Sequence, residues 1–515
     1  MRLLSRLLVV LIVCLVAIIL PAAPAQAADT YITLSPDHGV PGEEVTVRGH
    51  NLTADEYIDI YYYLNGAREW MDDVETAGDG DFRVTFIVPE SYTGDHRVFA
   101  DDEYGIDVYA DFTVEPGLIV DPEEGPVGTT VTVEGLGFAE DEEDIELRYY
   151  LNSDYEVIED DITADEDGSW EVSFQIPPST QGYHKLDARG AESRLYEVED
   201  DIFEVTPGIS IDESSGSVGD NITMTGSGFE ADERDITILF DGEAVATEIR
   251  ADDMGYWEDS FEVPEMPTGT YSVTAEGEQT KKEDISELSF EIEAGIVLSP
   301  GEGHAGMNLT VTGGGFTANK NVVIKYDGSE VETARTNAKG NFDITFLVPE
   351  SKYGARQVTA EDDADNEATA IFTMESNPPD APELISPPDG DRAGFIGKVR
   401  PTFEWSEVSD DSGVYYSLQI ATSANVTASS VIVSVTDLTG TGYTLEKTDA
   451  LPYGTYYWIV QAVDGAENES DWTEAHSFRA GLLPLWAFIV IIVAIVAGIG
   501  APVYFFVIRK KIHYY

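Results

Sequence analysis

From residue 30 to residue 375 the chain alternates apolar and polar positions in short bursts, and the bursts repeat in fixed register. Gly42-x2-Val45-Thr46-Val47-x-Gly49 recurs as Gly128-x2-Val131-Thr132-Val133-x-Gly135, Gly219-x2-Ile222-Thr223-Met224-x-Gly226 and Gly306-x2-Leu309-Thr310-Val311-x-Gly313, with the glycines seven apart each time. Downstream of each, Gly80-x-Phe82, Gly168-x-Trp170, Gly255-x-Trp257 and Gly340-x-Phe342 open a second burst that ends at Pro89, Pro177, Pro264 and Pro349. Gly94, Gly182, Gly269 and Gly354 follow five residues after those prolines. Val-Thr-Val between glycines predicts a short strand with one buried face, and Phe82, Val84, Phe86 and Val88 predict another with inward positions every second residue. Gly137-Phe138, Gly228-Phe229 and Gly315-Phe316 predict a kink at positive φ that drops an aromatic ring into the core, with Asn51-Leu52 in the first copy. Helical periodicity is absent between the two ends, so several strands per copy predict a two-sheet sandwich.

The opening S-P-x-x-G-x-x-G-x-x-V-T-V-x-G-x-G-F, with Ser35-Pro36 and Ser299-Pro300 in two copies, resembles the IPT/TIG family of immunoglobulin-like domains. The resemblance covers about residues 30–375 and implies four sandwiches, at 28–115, 116–206, 207–293 and 294–375. It leaves function open, because the family occurs in adhesins, receptors, enzymes and transcription factors. Residues 376–481 break the repeat: after the stiff linker Asn377-Pro378-Pro379-Asp380-Ala381-Pro382 they resemble a fibronectin type III domain. Phe403-x-Trp405 and Tyr416-x-Leu418-x-Ile420 supply strands, and Tyr456 stands where a tyrosine corner is expected.

The ends of the chain read differently. Arg2 and Arg6 before the apolar run Leu7–Leu20, then Ala25-Gln26-Ala27, predict a signal peptide over residues 1–27. Leu482–Ile508 is uncharged over 27 residues, enough for roughly 40 Å of helix against about 30 Å of hydrocarbon. Arg509, Lys510 and Lys511 follow, which predicts a single transmembrane helix with the N-terminus outside and a cytoplasmic tail at 509–515. The fold class expected is therefore all-β: tandem immunoglobulin-like β-sandwiches with a C-terminal transmembrane helix, in a prokaryotic-type cell-surface protein. Five domains in line would reach on the order of 170 Å from the membrane.

Charge narrows the partners. Five of the 28 basic residues lie in the leader and tail, leaving 23 against 98 acidic ones, a formal charge of −75 on the segment between. Such a field opposes nucleic acid and anionic surfaces and gathers divalent cations. The single cysteine, Cys14, sits in the leader, so each sandwich must hold itself by its apolar core. The histidines form no His-Glu-x-x-His pair, and no P-loop, Gly-x-Ser-x-Gly elbow or dinucleotide fingerprint occurs, so no enzymatic activity and no required cofactor are expected.

Calcium is the ligand the acidic turns could take: Asp79 and Asp81, Asp165 and Asp167, and Asp252 and Asp253 cluster at the hairpin glycine. The fourth copy is an internal control, with Asn337-Ala338-Lys339-Gly340 at that turn and Ala318-Asn319-Lys320 where earlier copies carry Asp55-Glu56, Glu140-Asp141-Glu142 and Asp232-Glu233. What all copies share is turn chemistry. Tyr61, Tyr62, Tyr63, Trp70, Tyr149 and Tyr150 form either a binding patch or alternating core and outer-face positions. Asn51, Asn221, Asn308, Asn425 and Asn468 head glycosylation sequons. The expected function is that of a membrane-anchored structural or adhesive surface protein. The alternatives are a module that binds a cell-surface glycan or protein, or an anchoring subunit for a secreted enzyme or transporter.

Overall fold

The computed structural model describes residues 29–151 and 154–503. The expected leader (1–27), residues 504–508 of the apolar run and the tail lie outside the described residues. The described chain falls into two compact units whose border runs through the third copy. Residues up to 212, 223–261 and 272–288 belong to the first unit, and 213–222, 262–271 and 289 onward to the second.

In the first copy the strands are β1 (Tyr31–Ser35), β2 (His38–Gly39), β3 (Glu44–His50), β4 (Tyr57–Leu64), β5 (Ala67–Glu75), β6 (Phe82–Ile87), β7 (Gly94–Asp101) and β8 (Asp107–Val114). They make a three-stranded sheet in the order β1-β3-β6 and a five-stranded sheet in the order β2-β8-β7-β4-β5. The short β2 runs parallel to β8, and the remaining pairs are antiparallel. The same pair of orders recurs in every copy and in the last domain, where Leu384–Ser386, Thr402–Trp405 and Gly442–Thr444 form the smaller sheet.

The repeated motifs have distinct structural reasons. Val45 and Val47, like Val131 and Val133, are fully buried between the sheets, as the alternation requires. The second glycine of the motif makes room for a ring on the neighbouring strand: a Cβ at Gly49, Gly135, Gly226 or Gly313 would run into Phe82, Trp170, Trp257 or Phe342. The expected kink is present, at φ 70° in Gly137, 68° in Gly228, 73° in Gly315 and 56° in Asn51. Behind it Phe138, Phe229 and Phe316 are wholly buried. Each ring packs edge-on against Trp170, Trp257 or Phe342, at centroid distances of 5.3–5.5 Å.

Tyr62 and Tyr149 are core residues, whereas Tyr61, Tyr63, Trp70 and Tyr150 stand on the outer face, so the alternating assignment holds for these aromatics. A serine two residues past the strand-ending proline meets each buried tyrosine hydroxyl: Tyr62 with Ser91 at 3.0 Å, Tyr149 with Ser179 at 3.1 Å and Tyr326 with Ser351 at 3.0 Å. In the third copy the ring is Phe240 and the serine position is Met266. Burial pushes the Tyr149 hydroxyl up to about 12, against the pull of Ser179.

The tyrosine corner is present: Tyr456 donates its hydroxyl to the Pro452 carbonyl at 3.1 Å. The same place, two residues after the strand-opening glycine, is taken by His96, His184, Tyr271 and Arg356 in the four copies. Nε2 of His96 and of His184 lies 2.7 Å from the carbonyls of Tyr92 and Thr180, and Tyr271 donates to Pro267 at 2.9 Å. Two of the histidines surveyed as metal ligands thus do corner work.

The last element is a helix, α1 (Leu485–Val503), of 19 residues. At 1.5 Å per residue it is about 28 Å long. Among the described residues no helix is long and apolar enough to cross a membrane.

Candidate functional site

At the acidic turns the side-chain oxygens accept backbone amides of their own turns. Oδ1 of Asp165 accepts the amides of Asp167 and Ser169 at 3.0 and 2.9 Å, and Oδ1 of Asp252 accepts those of Met254 and Tyr256 at 2.9 Å each. Asn337 does the same with its amide oxygen toward Lys339 and Asn341, at 2.8 and 3.1 Å. One oxygen, charged or neutral, suffices. Asp79 accepts the amide of Asp81 at 3.3 Å, while Asp81 receives the amide of Asn51 at 3.1 Å and faces His50 at 3.2 Å. Asp253 is exposed.

The acids that converge elsewhere are Glu375, Asp410 and Asp464, each with an oxygen within 4.8 Å of the others. Ser412 donates its hydroxyl to Glu375 at 2.6 Å and its amide to Asp410 at 2.9 Å. Asp464 accepts the amides of Ala466 and Asn468, both at 2.8 Å. Burial pushes the Asp464 carboxyl up, and Glu375 beside it adds to the rise.

These groups belong to a joint between domains, and such joints recur. The residue four past each strand-ending proline donates its backbone amide to a carbonyl of the next domain. Thr93 reaches Phe138 at 2.9 Å, Gln181 reaches Phe229 at 3.1 Å, Thr268 reaches Phe316 at 3.4 Å and Tyr353 reaches Ala466 at 2.7 Å. Three of the acceptors are the kink phenylalanines, whose rings fill their own core while their carbonyls face the preceding domain. A Cβ on Gly168 or Gly340 would lie 3.0 Å from the Cα of Tyr92 or Pro267, so the hairpin glycine allows this approach. The residue before that glycine also reaches across: Asn65 donates to Asp167 at 3.0 Å, and Lys339 pairs with Glu265 at 3.0 Å. At the last joint Tyr415 donates to Glu350 at 2.5 Å beside a cavity of about 600 Å³ that Ser351 and Asp464 also line.

Two buried glutamates escaped the reading of the acidic stretches. Glu142 accepts four hydrogen bonds of 2.7–3.1 Å from the amides of Ala139, Glu192 and Ser193 and the Ser193 hydroxyl. Glu233 is bound alike by Glu230, Gln279 and Thr280, at 2.7–3.2 Å. A comparison of the copies could have found them, since only these two pair with a glycine, Gly190 or Gly277, where the others have Asp102 or Asp362.

Outer sheet faces differ between copies. In the first, Arg68 stacks 3.7 Å over Phe99 and pairs with Asp101 and Asp107 at 3.0 and 2.9 Å. Arg97 covers Tyr109 at 4.6 Å, and Trp70 is 55% exposed. In the second, Arg148 lies 4.6 Å over Tyr155 and Lys185 lies 5.1 Å over Tyr150. The matching sheet of the fourth copy has no outward ring among its described strands: Tyr326 and Phe372 are both buried. Of the sequons, Asn51, Asn221, Asn308 and Asn425 are exposed, but Asn468 is buried and bonded to Asp464 at 2.9 Å.

Comparison with known proteins agrees at the level of domains. Residues 207–287 match the IPT/TIG domain, and residues 391–484 match the N-terminal immunoglobulin domain of Rha78A-like proteins. The chain therefore carries tandem immunoglobulin-like domains, with an IPT/TIG domain among them. No curated protein matches it. Among solved structures, a tetra-tandem repeat from the extending region of a large adhesion protein is 14% identical, covering 68% of this chain and 100% of that one, at a TM-score of 0.18. The N-terminal eight Ig domains of Down syndrome cell adhesion molecule are 13% identical over 88% of this chain and 60% of that one, at 0.18. Escherichia coli alpha-2-macroglobulin is 11% identical over 90% of this chain and 40% of that one, at 0.16. Scores this low carry no argument about domain arrangement or function.

Proposed function

We propose that the chain is a membrane-anchored surface protein, exported by residues 1–27 and held by the apolar run 482–508, whose immunoglobulin-like domains act as a structural or adhesive stalk. The recurring amide-to-carbonyl joint carries this reading. It uses the amide of the same position at each junction and the same carbonyl at three of the four, and it limits hinge motion where a flexible linker would leave the domains free. Support for the anchor comes from α1, whose apolar side chains Leu485, Trp486, Ile489, Val490 and Val493 are all exposed. A helix that is apolar all round belongs in a core or a bilayer, and among the described residues these side chains stay exposed.

Small-angle scattering on the full chain in nanodiscs tests the stalk: an extended particle is expected, and a compact one overturns the reading. Alkaline extraction tests the anchor, with release from the membrane as the contrary outcome.

A second reading rests on the outer faces of the first two copies. Their rings are held by stacked cations, which a copy without rings shows the fold does not need. That favours binding of a cell-surface glycan or protein at these faces, and a glycan array on which Trp70→Ala and wild type behave alike would remove it.

A further inference from the structure

Only residues 481–484 separate the last strand, His476–Ala480, from α1, and they are not a free tether. Gly481 donates its amide to Ala393 at 2.9 Å, Leu482 donates to Phe395 at 2.7 Å, and Leu483 pairs in parallel with Ile396. The connection thus continues the edge pairing of the domain up to the helix. Around it the domain exposes apolar and aromatic side chains: Phe395 is 77% exposed and Trp486 70%, with Ile396, Tyr453 and Leu482 also open. Tyr453 and Trp486 line one cavity of about 560 Å³ together with Lys398. Charge inverts here as well: residues 391–400 hold Arg392, Lys398 and Arg400 against one acid, Asp391, in a chain of net charge −70.

We propose that this collar is a lipid-contacting surface that seats the last domain in the headgroup layer. The proposal rests on the anchoring reading and goes beyond it. Aromatic rings with a polar edge favour the membrane interface, and lysine or arginine beside them reaches the phosphates. A cationic patch on an otherwise acidic chain meets an anionic headgroup layer that would repel the rest of the ectodomain. Because the tether is hydrogen-bonded, seating the collar also fixes the direction in which the domain leaves the membrane.

The test places an environment-sensitive fluorophore on single cysteines in full-length protein carrying Cys14→Ser, reconstituted in vesicles of phosphatidylcholine and phosphatidylglycerol. The sites are Phe395→Cys at the collar, Asp411→Cys at the pole facing the fourth copy, and Ile492→Cys in α1. Nitroxide at the headgroup level is expected to quench the label at 395 at least two-fold and to leave that at 411 unchanged, while a deep nitroxide quenches the label at 492. Quenching at 492 with 395 behaving like 411 overturns the collar and leaves the anchor standing. No quenching at 492 overturns both. Lys398→Glu in the 395-labelled protein is expected to reduce headgroup quenching, and an unchanged signal overturns the electrostatic part.

Discussion

The second and fourth copies share a fold and a strand register, yet they close the same loop by opposite means. In the second, Glu142 turns inward, the buried Ala164 donates its amide to the Glu142 carbonyl at 2.9 Å, and Gly190 lets the carboxylate sit against the opposite hairpin. In the fourth, the matching positions are Lys320, Thr336 and Asp362. Thr336 donates its hydroxyl to Thr317 at 2.6 Å, and Asp362 accepts the amides of Thr317, Ala364 and Asn366 at 2.8–3.1 Å. The third copy follows the second with Glu233, Ala251 and Gly277, and the first follows the fourth with Thr76 and Asp102. Each loop holds one such carboxylate, buried in three copies and half-buried at Asp102 in the first, and it can arrive from either side. Each solution excludes the other, because a side chain at Gly190 would run into Oε1 of Glu142.

The comparison breaks most severely at Glu142. Glu142→Ala strands four donors, three of them buried, and is expected to cost on the order of 3–5 kcal/mol, read as loss of amide-exchange protection at Glu192 and Ser193. Converting the whole set, with Glu142→Lys, Ala164→Thr and Gly190→Asp together, is expected to recover most of that protection. A triple variant no better than the single one would show that the two solutions are not interchangeable. Gly190→Ala alone is expected to cost about 1–3 kcal/mol through overpacking, whereas alanine at Gly182, at the other end of the same strand, meets no atom within 4 Å and suffers only from its positive φ of 113°.

Protonation sharpens the contrast further. Burial would raise the Asp362 carboxyl, but hydrogen bonds from the Asn366 side chain and three amides outweigh it and hold the group at about 2, below its ordinary 3.8. Its stabilisation is present above about 4 and is lost as pH falls through about 2, on the order of 2 kcal/mol, measurable by denaturation at graded pH. Asp464 has the same turn with Asn468 in the last domain, yet burial and Glu375 raise it, so acidification relieves strain there before it harms the fourth copy. A nuclear magnetic resonance titration in which the two aspartates ionise together would contradict this. The smallest effect is expected at the hairpin turn, where Asp252→Asn should change stability by less than about 0.5 kcal/mol because Asn337 already does that work. A melting temperature unchanged by chelator would accompany it, and a large drop would assign calcium to the acidic turns.

Much of this was legible in the chain. The strand positions, the kink at Gly137-Phe138 and the Tyr456 corner all follow from period-two burial and from glycine and proline placement. The corner role of His96 and His184 was visible only by aligning each copy on its glycine, since the histidines stand in no motif of their own. Glu142 is flanked by Asp141 and Glu143, which are as acidic and remain exposed. Little that is local distinguishes it, because three of its four donors lie about 50 residues downstream. The joints left no sequence signal of their own: their acceptors are backbone carbonyls, which every residue has.

By itself, then, the sequence determined the all-β class and the repeated strand pattern, because alternation of apolar positions is a local property that period two converts directly into a buried face. It also determined the apolar ends. Tertiary structure alone decided which acids are buried, which carbonyls join the domains and where the aromatic collar meets the helix. Those depend on polar groups brought together from distant segments, and a buried polar group is stable only beside the partner that the fold supplies.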